Sequence, residues 1–169
     1  MGISRVYLDS YYLVELVKEG GEASDVRSLL YRLADSNAFN VFVSQVALGE
    51  VFTVICRDCE PGGPCPRDMA AKLADVMESN RIGWECAVPV EGDAFGIMRD
   101  LREADEMLDP TDTMIVSHAL ADRHSKFFFT NDGSLLGNRE IIKLEKRLRD
   151  AGMRETDLKI QDGFTGRTM

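Results

Sequence analysis

The sequence predicts an α/β fold, a parallel sheet flanked by helices on both faces. Three observations carry this. Short apolar, β-rich runs recur at Val6-Tyr7-Leu8, Phe39 to Val43 and Phe127-Phe128-Phe129. Segments of helical period lie between them, such as the one bearing Val26, Leu29, Leu30 and Leu33. Strands that alternate with helices in this way make crossover units and a parallel sheet. The 169 residues suit one domain with one sizeable core. The expected division is a single domain over residues 1–161 and a loose tail over 162–169.

Each element has a local reason. Val6-Tyr7-Leu8 reads as a buried strand. Tyr12 to Val17 starts a helix, with Gly20-Gly21 as its stop. Ser24 to Ala34 is helical, and Phe39 to Val43 is a strand. Ser44 is placed to cap a helix whose apolar side carries Val46, Ala47, Val51, Val54 and Ile55. Glu60 to Pro66 is a Pro/Gly loop. Met69 to Met77 reads as helix, Trp84 to Val90 as strand and Asp93 to Met107 as helix. Pro110 suits the first turn of a helix that Asp109 opens and that runs to about Arg123. Lys126 to Thr130 is a strand. Leu136 to Ala151 is a helix that stops at Gly152, and Leu158 to Gln161 is a last short strand.

Composition narrows the function. With 29 acidic and 20 basic residues the net charge is −9, which argues against broad nonspecific nucleic-acid binding. A nuclease remains compatible, because clustered site acids contribute to that sum and a bound cation offsets them. The basic residues between Arg139 and Arg154 read either as a solvated helix face or as a local positive patch. No apolar stretch approaches the roughly 18–20 residues of a membrane span, so no membrane association is expected. The N-terminus lacks the long apolar region of a signal peptide, so the expected location is cytoplasmic.

Four acids stand out. Asp9 and Asp132 follow apolar strands, where α/β sheets build their sites. Glu50 has Val46 and Val54 four residues to either side, on its own helix face. Asp112 aligns with Ile115, Val116 and Ala119. Each has a plainer reading: Asp9 as a helix cap, Glu50 as a helix edge reaching for water, Asp112 as a capping-box acid and Asp132 as a turn residue. A carboxylate near an apolar core is costly unless it is paired or binds a metal. Four of them from four elements suggest one centre for divalent cations and metal-dependent cleavage of phosphodiesters. Asp9 and Asp112 would be its central ligands. Glu50 would bind directly or through water, and Asp132 would complete a second position. Ser10, Thr130 and Asn131 would support them, with Asp109 as a cap or outer group.

Asp9 in Val6-Tyr7-Leu8-Asp9-Ser10, Glu50 in Ser44-Gln45-Val46-Ala47-Leu48-Gly49-Glu50, Asp112 in Asp112-Thr113-Met114-Ile115-Val116-Ser117-His118-Ala119, and Thr130-Asn131-Asp132 together resemble the PIN-domain pattern, over roughly residues 5 to 160. The resemblance implies a sheet of order 3-2-1-4-5 and a Mg²⁺- or Mn²⁺-dependent ribonuclease. It also implies VapC-like toxins, an antitoxin partner and a homodimer. The alternative is a PIN-fold module that binds RNA or protein in an assembly, with little or no catalysis. Outside that pattern, Cys56, Cys59, Cys65 and Cys86 could close a structural Zn²⁺ site. The other reading is free thiols, with Cys56 and Cys86 as small core residues.

Overall fold

The computed structural model describes residues 4–57, 65–85 and 93–164. Its strands are β1 (Ser4–Leu8), β2 (Phe39–Ser44), β3 (Ile82–Glu85), β4 (Ser125–Phe129) and β5 (Lys159–Gln161). They form one sheet of order β3-β2-β1-β4-β5, and every pair is parallel. The helices are α1 (Ser10–Lys18), α2 (Ala23–Asp35), α3 (Gln45–Arg57), α4 (Pro66–Ser79), α5 (Ala94–Ala104), α6 (Pro110–Ala121) and α7 (Arg139–Asp150).

Alternation along β1 divides the core. Val6 and Leu8 face one side with α1, α2 and α4, while Tyr7 faces the other with α5, α6 and α7. The α3 helix serves both sides, with Ala47 in one cluster and Val51 and Ile55 in the other. A sheet buried on both faces needs apolar residues at successive positions, and Val6-Tyr7-Leu8 supplies them. The chain winds outward from β1 in both directions, so β1 and β4 flank the switch in strand order. In open α/β sheets the crevice beyond the strand ends at that switch is the usual site.

Several boundaries differ from the sequence expectation. The third strand begins at Ile82, which pairs with Val41 and is buried, whereas Trp84 is 55% exposed on the sheet edge. Its expected run to Val90 lies mostly outside the described residues. Gly83 is needed there: a Cβ would meet the Phe42 ring at 2.7 Å. Helix α1 stops at Glu19 itself, in the left-handed region at φ 54°, rather than at Gly20-Gly21. Helix α7 starts at Arg139 rather than Leu136. Gly137 takes φ 70°, and the Asn138 side chain then accepts from the N–H groups of Glu140 and Ile141. The tail is docked as far as Phe164. The Gly163 N–H donates to the Tyr12 hydroxyl at 2.9 Å, and Phe164 packs on the Tyr12 ring.

The basic segment is split. On its outer face Lys143 pairs with Glu140, and Arg147 lies 3.6 Å from Asp100, as a solvated face would arrange them. Arg154 is buried instead. Its guanidinium donates to the carbonyls of Ala119, Leu120, Asp122 and Ser125 and to the Ser125 hydroxyl, tying the end of α6 to the start of β4. Burial pushes its pKa down, but nearby Glu145 and Asp122 oppose that shift.

Cys56 is exposed, not a core residue, because α3 turns Val51 and Ile55 inward and Cys56 outward. Cys65 is also an exposed free thiol, at the N-cap of α4. Cys59 and Cys86 lie outside the described residues, and with them the four-cysteine zinc reading. Among the described residues no helix is long and apolar enough to cross a membrane.

Candidate active site

Asp9 follows β1 and is the N-cap of α1. One carboxylate oxygen, Oδ1, accepts the Ser10 N–H at 2.7 Å, with the Ser10 hydroxyl at 3.4 Å. The other, Oδ2, accepts the Thr130 hydroxyl at 2.5 Å. Thr130 stands beside it because Leu8 and Phe129 are paired in the register of β1 and β4. Asp9 therefore caps α1 with one oxygen and reaches Thr130 across the sheet with the other, so the cap does not exclude a role in a site. Only 5% exposed, it has its pKa raised by burial. Thr130 and Ser10 oppose that shift, and Glu50 and Asp132 add to it.

Asp132 is tied to the same threonine: its N–H donates to Thr130 Oγ1 at 3.0 Å. Its carboxylate accepts from the Ser134 N–H and hydroxyl, each at 2.8 Å. Ser134 carries no distinctive signal in the sequence, since a serine after Asp-Gly reads only as turn chemistry. Asn131 is exposed, and its side chain makes no hydrogen bond among the described residues.

Asp112 enters from the first turn of α6. Asp109 caps that helix, accepting the N–H groups of Thr111 at 2.7 Å and Asp112 at 3.3 Å. With Asp109 as cap, Asp112 is free to face the other acids. Its pKa is pushed up to about 7 by burial first, then by the charges of Asp9, Asp132 and Asp109 and a hydrogen bond with Asp132. Glu50 enters from α3, which the Ser44 hydroxyl caps at the Ala47 N–H, 3.0 Å away. Its Oε2 is buried and has no hydrogen-bond partner among the described residues.

The electrostatic couplings place all four acids in one neighbourhood at the carboxyl ends of β1 and β4. Among the described residues, no three His, Cys, Asp or Glu side chains stand in a group that could hold a metal ion as they are placed. The donor chemistry nevertheless fits a hard cation. Every candidate ligand is a carboxylate oxygen, one of them lacks any partner among the described residues, and their mutual repulsion is what a cation relieves. Neither histidine joins them. His118 is buried in α6 with both ring nitrogens unpartnered among the described residues, and burial lowers its pKa. His124 lies 3.4 Å from Glu155.

This sheet order, with an acidic centre at the switch, defines a PIN-domain fold. Two solved structures share it. One is VapBC2 from Rickettsia felis bound to a DNA fragment from their promoter, at 14% identity and TM-score 0.60, covering 91% of this chain and 98% of that one. The other is VapC20 of Mycobacterium tuberculosis, a sarcin-ricin loop cleaving toxin, at 18% identity and TM-score 0.54, covering 76% of this chain and 90% of that one. No family model and no protein of curated function matches the sequence.

Proposed function

We propose that the protein is a Mg²⁺- or Mn²⁺-dependent ribonuclease, acting as the toxin of a toxin–antitoxin pair. What supports this reading is the electrostatic coupling of Asp9 with Glu50, Asp112 and Asp132, close to the switch point of a PIN-type sheet. The fold it shares with two VapC structures supports the toxin role and an antitoxin partner.

A divalent cation held by these carboxylates supplies charge neutralisation at the phosphate and a water activated near neutral pH. The protein's own contribution is order. The Ser10 N–H and the Thr130 hydroxyl fix both oxygens of Asp9, so this acid does not swing. Thr130 also holds the Asp132 backbone, which sets the spacing between the two strand-end acids. Glu50 and Asp112 close the centre from the helices on either side. Hydrolysis then breaks one P–O bond, adds the water oxygen to phosphorus and leaves the proton on the departing oxygen.

RNA incubated with the purified protein should be cut with Mn²⁺ or Mg²⁺ and spared with chelator. A ribosomal RNA fragment bearing the sarcin-ricin loop is the first substrate to try, given the target named for VapC20. Asp9→Asn and Asp112→Asn keep side-chain shape but remove a ligand charge, and each should abolish cutting. Cutting that survives both changes at the wild-type rate would show that these acids are not the site.

A further inference from the structure

A second feature lies beside the acidic centre. Helix α2 buries Val26, Leu29, Leu30 and Leu33 and turns Arg27, Tyr31 and Arg32 outward. Together with Arg81 and Phe164 they line an open groove of about 900 Å³. The side chains of Arg27, Arg32 and Arg81 make no hydrogen bond and no ion pair among the described residues. Arg27 lies near Glu19, but that acid is already bonded to Lys72 at 3.0 Å. One acid, Asp25, lines the groove. Tyr31, between these arginines on α2, is 73% exposed.

The groove connects to the site. Phe164 packs on Tyr12, with ring centroids 5.5 Å apart, and Tyr12 lies in the first turn of α1, the helix that Asp9 caps. One end of the groove, at Phe164 just past β5, therefore lies on the carboxyl side of the sheet, and Arg81, just before β3, marks the other on the amino side.

We infer that this groove is a track for single-stranded RNA leading into the acidic site, an inference that rests on the ribonuclease reading. A chain of net charge −9 needs a local positive path to draw in a polyanion, and three arginines along the groove, two on α2 and one just before β3, provide it. Arginine without a protein partner is suited to bidentate contact with phosphate. An exposed tyrosine between arginines is the stacking element that sequence-tolerant single-strand binders use. The acidic centre repels phosphate, so the groove holds the strand while the acids, loaded with cation, receive the bond to be cut.

The test measures binding rather than cutting. A short fluorescein-labelled single-stranded RNA is titrated in chelator, at several salt concentrations, and followed by anisotropy. Arg27→Ala, Arg32→Ala and Arg81→Ala combined should weaken binding at least tenfold and lower the salt slope by about 2, at roughly 0.7 for each phosphate no longer neutralised. Lys143→Ala with Arg147→Ala, on α7, should change neither. Tyr31→Ala should weaken binding severalfold and leave the salt slope alone, which separates stacking from charge and needs no triple variant. Unchanged affinity and slope in the triple variant, with its melting curve intact, would overturn the track. So would a wild-type protein that ignores RNA but binds labelled oligoglutamate through the same arginines, since the groove would then seat an acidic protein segment. The two readings fail separately. Arginine-dependent binding without any Mn²⁺-dependent cutting removes the ribonuclease and keeps the track. Cutting by the triple variant at wild-type KM does the reverse.

Discussion

Replacing Thr130 by valine tests how the centre is held. Thr130 is fully buried, and its hydroxyl donates to Asp9 Oδ2 at 2.5 Å while accepting the Asp132 N–H at 3.0 Å. Valine keeps the shape and removes both bonds. A hydrogen bond to a charged group contributes about 1.5–3 kcal/mol, and the neutral N–H adds about 1 kcal/mol less whatever water recovers. The expected loss is about 2–3 kcal/mol near pH 8, or about 5–10 °C in Tm for a chain of this length. The sign with pH follows from Asp9. Burial raises its pKa, and the Thr130 bond counteracts that by favouring the ionised form. Without the bond the folded pKa climbs further, so more stability is lost as pH rises from the unfolded value of 3.8 through the folded one. The gap between variant and wild type should therefore widen from acid to alkaline pH. Urea unfolding in chelator at about pH 4.5 and about pH 8 measures it, with Thr130→Ser as the control that restores the hydroxyl. A loss under about 0.5 kcal/mol at pH 8, or one equal at both pH values, would refute this account of the centre.

Three further outcomes are expected. Asp112, with its pKa pushed up to about 7 from 3.8, should make the metal-free protein lose stability as pH rises between those values. Asp112→Asn should then be stabilising at pH 8 by on the order of 1 kcal/mol, after allowance for solvent screening at a half-buried site, and chemical denaturation reads it. Mn²⁺ or Mg²⁺ at a hundredfold excess over Kd should stabilise the fold by about 2.7 kcal/mol, so a melting temperature unmoved at millimolar metal would count against a working cation centre. Arg154→Met takes a donor from four buried carbonyls, three of which keep a hydroxyl donor from Ser125 or Thr156, and leaves Glu145 with Arg149 as its cationic neighbour, so it should cost about 3 kcal/mol in equilibrium unfolding.

The parallel sheet and most helices were legible because period and punctuation agree, while the strand order came from the PIN-domain resemblance: Val6-Tyr7-Leu8 is apolar at every position, Pro110 follows a capping Asp109, and Gly152 follows α7. Residues whose backbone departs from habit were not. Glu19 adopts the left-handed turn although two glycines follow it, because the Gly20 N–H closes onto the Glu15 carbonyl. The acids were legible as a set, since each interrupts an apolar pattern. Their supports were less so. Thr130 is visible as a polar residue at a strand end, but its doubled bond depends on strand pairing 121 residues apart. Ser134 and the groove arginines are ordinary surface residues in sequence. Arg154 looks like part of a charged run until the end of α6 is seen to have carbonyls to satisfy.

The pairing of β1 with β4 also governs when the centre comes into being. These neighbours in the middle of the sheet are separated by more than a hundred residues, so β4 must slot in beside β1 after most of the chain has been made. Before that moment Asp9 and Glu50 have neither Thr130 nor the acids of the later half. On a ribosome still short of β4, the first-half acids therefore stand apart from the later ones, and the acidic centre comes together only once β4 has joined the sheet.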